Sequence, residues 1–316
     1  MRIVMVIPTT LLMPIKNGEI FLQQAIVNLE KNCQPNDEIL VIDDGSIDRT
    51  GSILKKWAEV NPQVRVISNS KPGLVNALNF GISESLNDWI IRFDVDDRYP
   101  ENRTFELKKL MKDDVVGIFS DYRFTTNRGV NLGIMPSAIA PHLTYLSLIT
   151  SQRTAHPSVC YNKHAVIDAG GYLPEDYPAE DLSLWLRLSK TGKIATSPQE
   201  LLKYRISRKS VSARLRQTSI NKKNALISSF EFDQDVVSSC LDGLKRTRIY
   251  YSDFKYGDKR FLLHLRDLLH ILDLNQTLDR SKVKLVHREI LENFSSYTAG
   301  TNLLFQVILR KIYRLF

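Results

Sequence analysis

The sequence predicts an α/β fold: a mainly parallel sheet with helices on both faces, continued by a helical C-terminal region. Three observations predict it. Short apolar, β-rich runs alternate with stretches of helical spacing over the first half of the chain. Acidic and small polar residues cluster where those runs end, which is where ligands bind on such sheets. From about Thr218 onward the strand signals fade and helical runs take over.

The elements follow in order. "RIVMVIP" is the expected first strand, with Pro8 and Thr9 at its carboxyl end, and "TTLLMPIKNGEIF" is a long loop leading into a helix over "FLQQAIVNLEKN". "EILVIDDGS" is the second strand, ending in Asp43-Asp44-Gly45-Ser46, and "TGSILKKWAEV" is the next helix. "VRVISN" and then "LVNALNFGISESL" repeat the alternation, the second preceded by Gly73. "WIIRFDVDD" is a buried strand running into acids, and "VVGIFSD" is a fifth strand. That order is the signature of helices packed on a parallel sheet. The boundary between the two regions is placed at 217/218, giving 1–217 and 218–316.

Composition narrows the class. The chain of 316 residues is 43% hydrophobic and 25% charged, which excludes a disordered chain. Cys33, Cys160 and Cys240 are widely spaced and odd in number, which argues against a disulfide framework or zinc cluster and fits a reducing compartment. "MRIVMVIPTT" lacks a small-residue cleavage site and reads as core strand, not as a signal peptide. No apolar run is long enough to span a bilayer. The net charge is +8, and the segment from Lys203 to Lys223 carries eight basic residues and no acid. Phosphorylated ligands or an anionic membrane surface suit such a balance. Nucleic acid does not, because the basic run has no aromatic residue beyond Tyr204 at its start and no recognised motif.

Four constellations carry chemistry. Asp94, Asp96 and Asp97 place three carboxylates in four positions. Like charges that close raise one another's pKa, so the cluster holds water, a proton, or a metal ion with an anionic substrate. In "VIDDGSIDRTG", Asp44 accepts hydrogen bonds either from its own turn or from a base or sugar, while Asp48 caps a helix. "KPGLVNALNFG" opens a helix with Gly73, Asn76 and Asn79, suited to ordinary capping or to the close approach of an anion. "PEDYPAEDLSLWLRL" sets Glu180 and Asp181 before a helix anchored by Leu182, Leu184, Trp185 and Leu188. Asp181 is either a carboxylate favoured by the helix dipole or a general base. His156 precedes a proline and so lies in extended or turn backbone.

Taken together, "VIPT", "VIDDGSIDRT", "GLVNALNFG", "RFDVDDRYPENR", "HPSV", "GGYLPEDYPAEDLSLWLRL" and "KYRISRKSVS" resemble, in order and spacing, the glycosyltransferase family 2 enzymes of bacterial surface-polysaccharide synthesis. The resemblance covers residues 1–215 and implies the nucleotide-diphospho-sugar transferase (GT-A) fold. It implies an inverting transfer of a hexose from a UDP-sugar to a hydroxyl of a lipid-linked or growing glycan. It implies a donor site made by Pro8, Thr9, Asp44, Gly73, Asn76, Asn79, Asp94, Asp97 and Glu180. Asp96 is the implied ligand of Mn²⁺ or Mg²⁺, and Asp181 the catalytic base. A cytoplasmic enzyme, peripheral on the inner membrane, is the matching expectation. The terminal "LLFQVILRKIYRLF" is then a basic amphipathic helix that meets an anionic membrane or a partner.

The chain departs from the family pattern at Tyr204-Arg205-Ile206-Ser207, where many relatives carry His in place of Ser207. Two rivals fit less well. A phosphatase of the haloacid dehalogenase type wants Thr or Val where Arg98 stands, and its nucleophile lies on the first strand, not the fourth. A non-catalytic nucleotide-sugar-binding protein has no need of both the Asp94 cluster and Asp181.

Overall fold

The computed structural model describes residues 7–135, 148, 154–207 and 210–228. Strand β1 (Thr9–Ile15) runs parallel between β2 (Glu38–Asp43) and β4 (Trp89–Arg92), and β3 (Val64–Ser68) extends the parallel set beyond β2. β7 (Cys160–Asn162) then lies antiparallel between β4 and β5 (Val115–Thr125). β5 also pairs with β6 (Asn131–Met135), antiparallel, and with β8 (Lys193–Arg205), parallel along nearly its whole length. The order is β3-β2-β1-β4-β7-β5-β6, with β8 against β5. The sheet is thus mixed, its parallel half being β1 to β4.

The first strand differs from the sequence expectation, and the difference matters for the site. β1 is "TTLLMPI", not "RIVMVIP", whose first five residues lie outside the described residues. Both runs are apolar and both end near a proline, so hydropathy does not separate them. Tertiary fit does. Leu11, Leu12 and Met13 are fully buried, and the Asp44 amide donates to the Ile15 carbonyl at 2.8 Å, which locks the carboxyl ends of β1 and β2 together. Pro14 is tolerated in this central strand for a specific reason. The Phe93 amide donates to the Leu12 carbonyl, so Leu12 and Pro14 face β4, whose pairing with β1 ends at Leu12↔Arg92. The missing N–H of Pro14 therefore removes no ladder bond. The long loop expected at "TTLLMPIKNGEIF" is mostly strand.

The helices flank the sheet by simple periodicity. α1 (Glu19–Asn32) buries Leu22, Ala25, Ile26 and Leu29, and α2 (Thr50–Val60) buries Leu54 and Trp57. With Leu107 of α4 (Arg103–Lys108) they join the core that includes Leu11, Met13 and Ile15. α3 (Leu74–Glu84) covers the opposite face, where Gly81 meets Leu12 and Ile42. A Cβ there would lie 2.5 Å from Leu12 Cδ1, so the helix needs glycine to come this close. α5 (Lys163–Asp168) and α6 (Glu180–Leu188) follow β7. The Trp185 ring of α6 packs edge-on against Phe119 of β5, with centroids 5.2 Å apart.

After β8 the chain turns into α7 (Val211–Arg214) and α8 (Arg216–Ser228). The boundary expected at 217/218 falls within α8. The remainder of the expected helical region, with its terminal basic stretch, lies outside the described residues. No helix among the described residues is long and apolar enough to cross a membrane.

Candidate active site

Parallel pairing brings the carboxyl ends of β1, β2, β3 and β4 to one edge, and the polar motifs meet there. The turn after β1 is laced to the turn after β2. Asn17, held at φ 51°, accepts from the Ile47 amide at 2.8 Å, and its own amide donates to Ser46 Oγ at 2.9 Å. Asp48 accepts from the first-turn amides of both helices, Glu19 at 3.3 Å and Thr50 at 3.0 Å. Asp44 is buried beneath these turns. It accepts from the Gly73 amide at 2.8 Å and from Asn69 Nδ2 at 2.7 Å, and Lys16 Nζ lies 3.5 Å away.

Thr9 and Pro8 are not part of this edge. Thr9 is at the amino end of β1, fully buried, with its amide and hydroxyl both donating to Asp37. That is the opposite edge of the sheet, so the residues that occupy the expected position are Pro14 to Asn17. The signal was present in "PIKNGEIFLQQAIVNL", an apolar strand end followed by a turn and an amphipathic helix. Gly73, Asn76 and Asn79 are near the edge but already engaged. The Gly73 amide holds Asp44, and Asn76 Nδ2 donates to the Pro72 carbonyl at 3.0 Å. Asn79 clamps the backbone of Tyr172 from both sides, donating to its carbonyl at 2.8 Å and accepting from its amide at 2.9 Å. Asn79→Ala should therefore cost about 1–3 kcal/mol of stability by leaving those backbone groups unpaired. Urea unfolding reads that loss, with nucleotide affinity unchanged.

The three aspartates follow β4. One oxygen from each of Asp94, Asp96 and Asp97 lies within 4.8 Å of the others. They are not equivalent. Asp94 is held by the buried Arg92, whose Nε and Nη2 donate to its two oxygens at 2.8 and 3.2 Å. Asp97 is buried and accepts from the Arg205 amide at 2.7 Å. Asp96 makes no hydrogen bond to another described residue. Burial first, and then the Asp94 charge, raise the carboxyl pKa of Asp96, and the same causes raise Asp97 more strongly. Such a cluster is short of positive charge, and an all-oxygen donor set is what Mg²⁺ or Mn²⁺ takes. The residues fit a divalent cation, with Asp96 its most available ligand.

A second layer holds this turn. The Asp94 amide donates to Tyr99 Oη at 2.7 Å, and the Arg103 guanidinium lies over the rings of Tyr99 and Phe93 at 4.4 and 4.7 Å. Arg103 is fully buried and donates to the Pro157 carbonyl at 2.8 Å, tying the aspartate turn to the turn that carries His156. Sequence reading missed Arg92 and Arg103, because arginine is ordinarily a surface residue.

At the other end, α6 begins with Glu180 and Asp181. Asp181 is half-buried and accepts from the Leu182 amide. Glu180 is buried. Desolvation, with the neighbouring Asp181 charge, pushes its carboxyl up to about 7. Its Oε1 is 3.9 Å from His156 Nδ1, and His156 Nε2 bonds Tyr172 Oη at 2.7 Å. Burial, with the charges of Arg92 and Lys223, keeps His156 neutral. Arg92 thus grips Asp94 and is also close enough to act on both Glu180 and His156, so one buried cation serves both carboxylate centres.

Residues 10–168 match the family described as Glycosyl transferase family 2. An Escherichia coli protein named UDP-Gal:alpha-D-GlcNAc-diphosphoundecaprenol beta-1,3-galactosyltransferase is 30% identical over 195 residues, covering 60% of this chain and 69% of that protein. The amylovoran biosynthesis glycosyltransferase AmsE of Erwinia amylovora is 26% identical over 198 residues, covering 61% and 73%. Among solved structures, S. aureus TarS 1-349 in complex with UDP superposes with a TM-score of 0.58 at 16% identity, covering 94% of this chain and 93% of that one. Mannosyltransferase PcManGT from Pyrobaculum calidifontis, in complex with GDP-Man and Mn2+, gives 0.56 at 16% identity, covering 98% and 87%.

Proposed function

The chain belongs to glycosyl transferase family 2, and from that premise we propose that it transfers a hexose from a UDP-sugar, with inversion, to a hydroxyl of a lipid-linked acceptor in bacterial polysaccharide synthesis. The observation that carries this reading is the cluster of Asp94, Asp96 and Asp97 at the edge where Asp44 also lies. The E. coli relative's name supplies the donor carrier and the acceptor class.

Each residue then has a task. Asp44, held by Gly73 and Asn69, faces the nucleotide base, and Lys16 lies beside it. Asp94, locked by Arg92, accepts from the ribose. Asp96, with Asp97 behind it, would hold Mn²⁺ or Mg²⁺, which when bound would supply Lewis-acid stabilisation of the negative charge on the departing diphosphate. Asp181 takes the proton of the acceptor hydroxyl as its oxygen attacks the anomeric carbon. The bond from that carbon to the diphosphate oxygen breaks on the opposite side, so configuration inverts. Burial, with the neighbouring Asp181 charge, biases Glu180 toward its neutral form, which makes it the poorer base of the pair. The enzyme works from the cytoplasm, at the membrane face where a lipid-linked acceptor is presented.

A panel of UDP-, GDP- and dTDP-sugars, each with Mn²⁺, Mg²⁺ or EDTA, tests this. Hydrolysis of a UDP-hexose that stops in EDTA is expected. Tight binding of UDP-sugars with no turnover on any of them would instead identify a non-catalytic binding protein.

A further inference from the structure

The acid-free stretch after β8, from Ile206 to Ser228, has no assigned role, and its last helix lies against the catalytic loop. Ser219 Oγ of α8 donates to the Pro178 carbonyl at 3.1 Å, and Lys222 Nζ is 3.4 Å from Asp176 Oδ1. Pro178 and Asp176 belong to the turn that delivers Glu180 and Asp181. Lys223 lies four residues after Ser219, on the same face of α8. It is half-buried and, unlike Lys222, pairs with no carboxylate among the described residues. Its charge nevertheless reaches Glu180 and His156. The cations that act on Asp96 are instead Arg205 and Arg92. Lys223 thus belongs to the base end of the site, not to the metal end. Arg214 acts on Tyr177 of the same turn and extends the positive surface outward.

We propose that Lys223, with Arg214 outside it, binds the diphosphate that links the acceptor sugar to its lipid carrier. The inference rests on the reading of Asp181 as the base. If the attacking hydroxyl belongs to the sugar nearest the lipid, its diphosphate lies one pyranose ring from Asp181. A lysine that pairs with no carboxylate among the described residues, one helical turn from the contact at Pro178, supplies the complementary charge there. The donor diphosphate is served separately by the aspartate cluster.

The test uses the full chain and a minimal probe, farnesyl diphosphate against farnesol, titrated in EDTA so that no divalent ion remains at the aspartates. Wild type should bind the diphosphate and not the alcohol. Lys223→Ala should weaken that binding about tenfold, the worth of one charge-assisted hydrogen bond. Lys223→Arg should keep most of it, and Lys55→Ala, on the far helix α2, should change nothing. Equal affinity in wild type and Lys223→Ala, or no preference for the diphosphate in wild type, would overturn the proposal. So would loss of phosphatidylglycerol-vesicle binding in Lys223→Ala with farnesyl diphosphate affinity intact, since the contact would then be to membrane headgroups. UDP titration with Mn²⁺ in parallel reads the donor site. Failure there removes the donor assignment and leaves the Lys223 result standing by itself.

Discussion

Asp96→Ala should abolish measurable transfer while leaving the metal-free protein at least as stable as wild type. The two halves of this expectation have one cause. Asp94 has both oxygens on Arg92, and Asp97 is tied to the Arg205 amide. Asp96 has no such partner among the described residues, so removing it takes away the carboxylate best able to reach a cation. The same removal relieves Asp97 of a like charge that raises its pKa. A structural aspartate would behave the other way, with stability lost and metal response kept. Thermal unfolding separates the cases. Wild type should gain stability from Mn²⁺ and UDP together, about 2.7 kcal/mol at a hundredfold excess over the dissociation constant. The variant should gain little. A variant with an undiminished Mn²⁺-dependent shift and near-normal turnover would show that the cation is held elsewhere.

Much of this site was legible because carboxylates at strand ends are costly and therefore conspicuous. Asp94-Val95-Asp96-Asp97 after a buried strand, and Glu180-Asp181 before an apolar helix, stand out without a structure. Other parts were illegible for physical reasons. Two apolar runs compete for the first strand, and the choice depends on the Ile15 to Asp44 hydrogen bond, between residues far apart in sequence. The error moved Thr9 to the wrong edge of the sheet and hid Lys16 and Asn17. β8 was hard to see because Ser197-Pro198-Gln199-Glu200 interrupts its pattern. Its pairing with β5 shifts register on both sides of Asp121. Asn79 looked like a ligand group because nothing local reveals its partner, Tyr172, 93 residues away. Arg92 and Arg103 were invisible as site residues, since a buried arginine is recognised by its partners and not by its neighbours in sequence.

Asp181→Asn should fold normally, bind UDP with Mn²⁺ as wild type does, and transfer about 10²- to 10⁴-fold more slowly. The position admits two explanations with different consequences. As a helix-end charge on α6, Asp181 would contribute roughly 0.3–1 kcal/mol of stability and nothing to rate. As the base, it contributes to rate and little to folding. The adjacent carboxyl sharpens the comparison. Glu180 is buried, and its charged form is disfavoured by desolvation and by Asp181, so Glu180→Gln replaces a carboxyl already biased toward its neutral form by a neutral isostere. That variant should retain transfer within about tenfold, because it removes no base. The outcomes are therefore ordered: a large loss of kcat in Asp181→Asn, a small one in Glu180→Gln, and donor KM steady in both. The reverse order would make Glu180 the base and Asp181 the residue that tunes it. A lowered melting temperature in Asp181→Asn with full turnover would leave Asp181 a helix-end charge and send the search for the base to another residue of this edge.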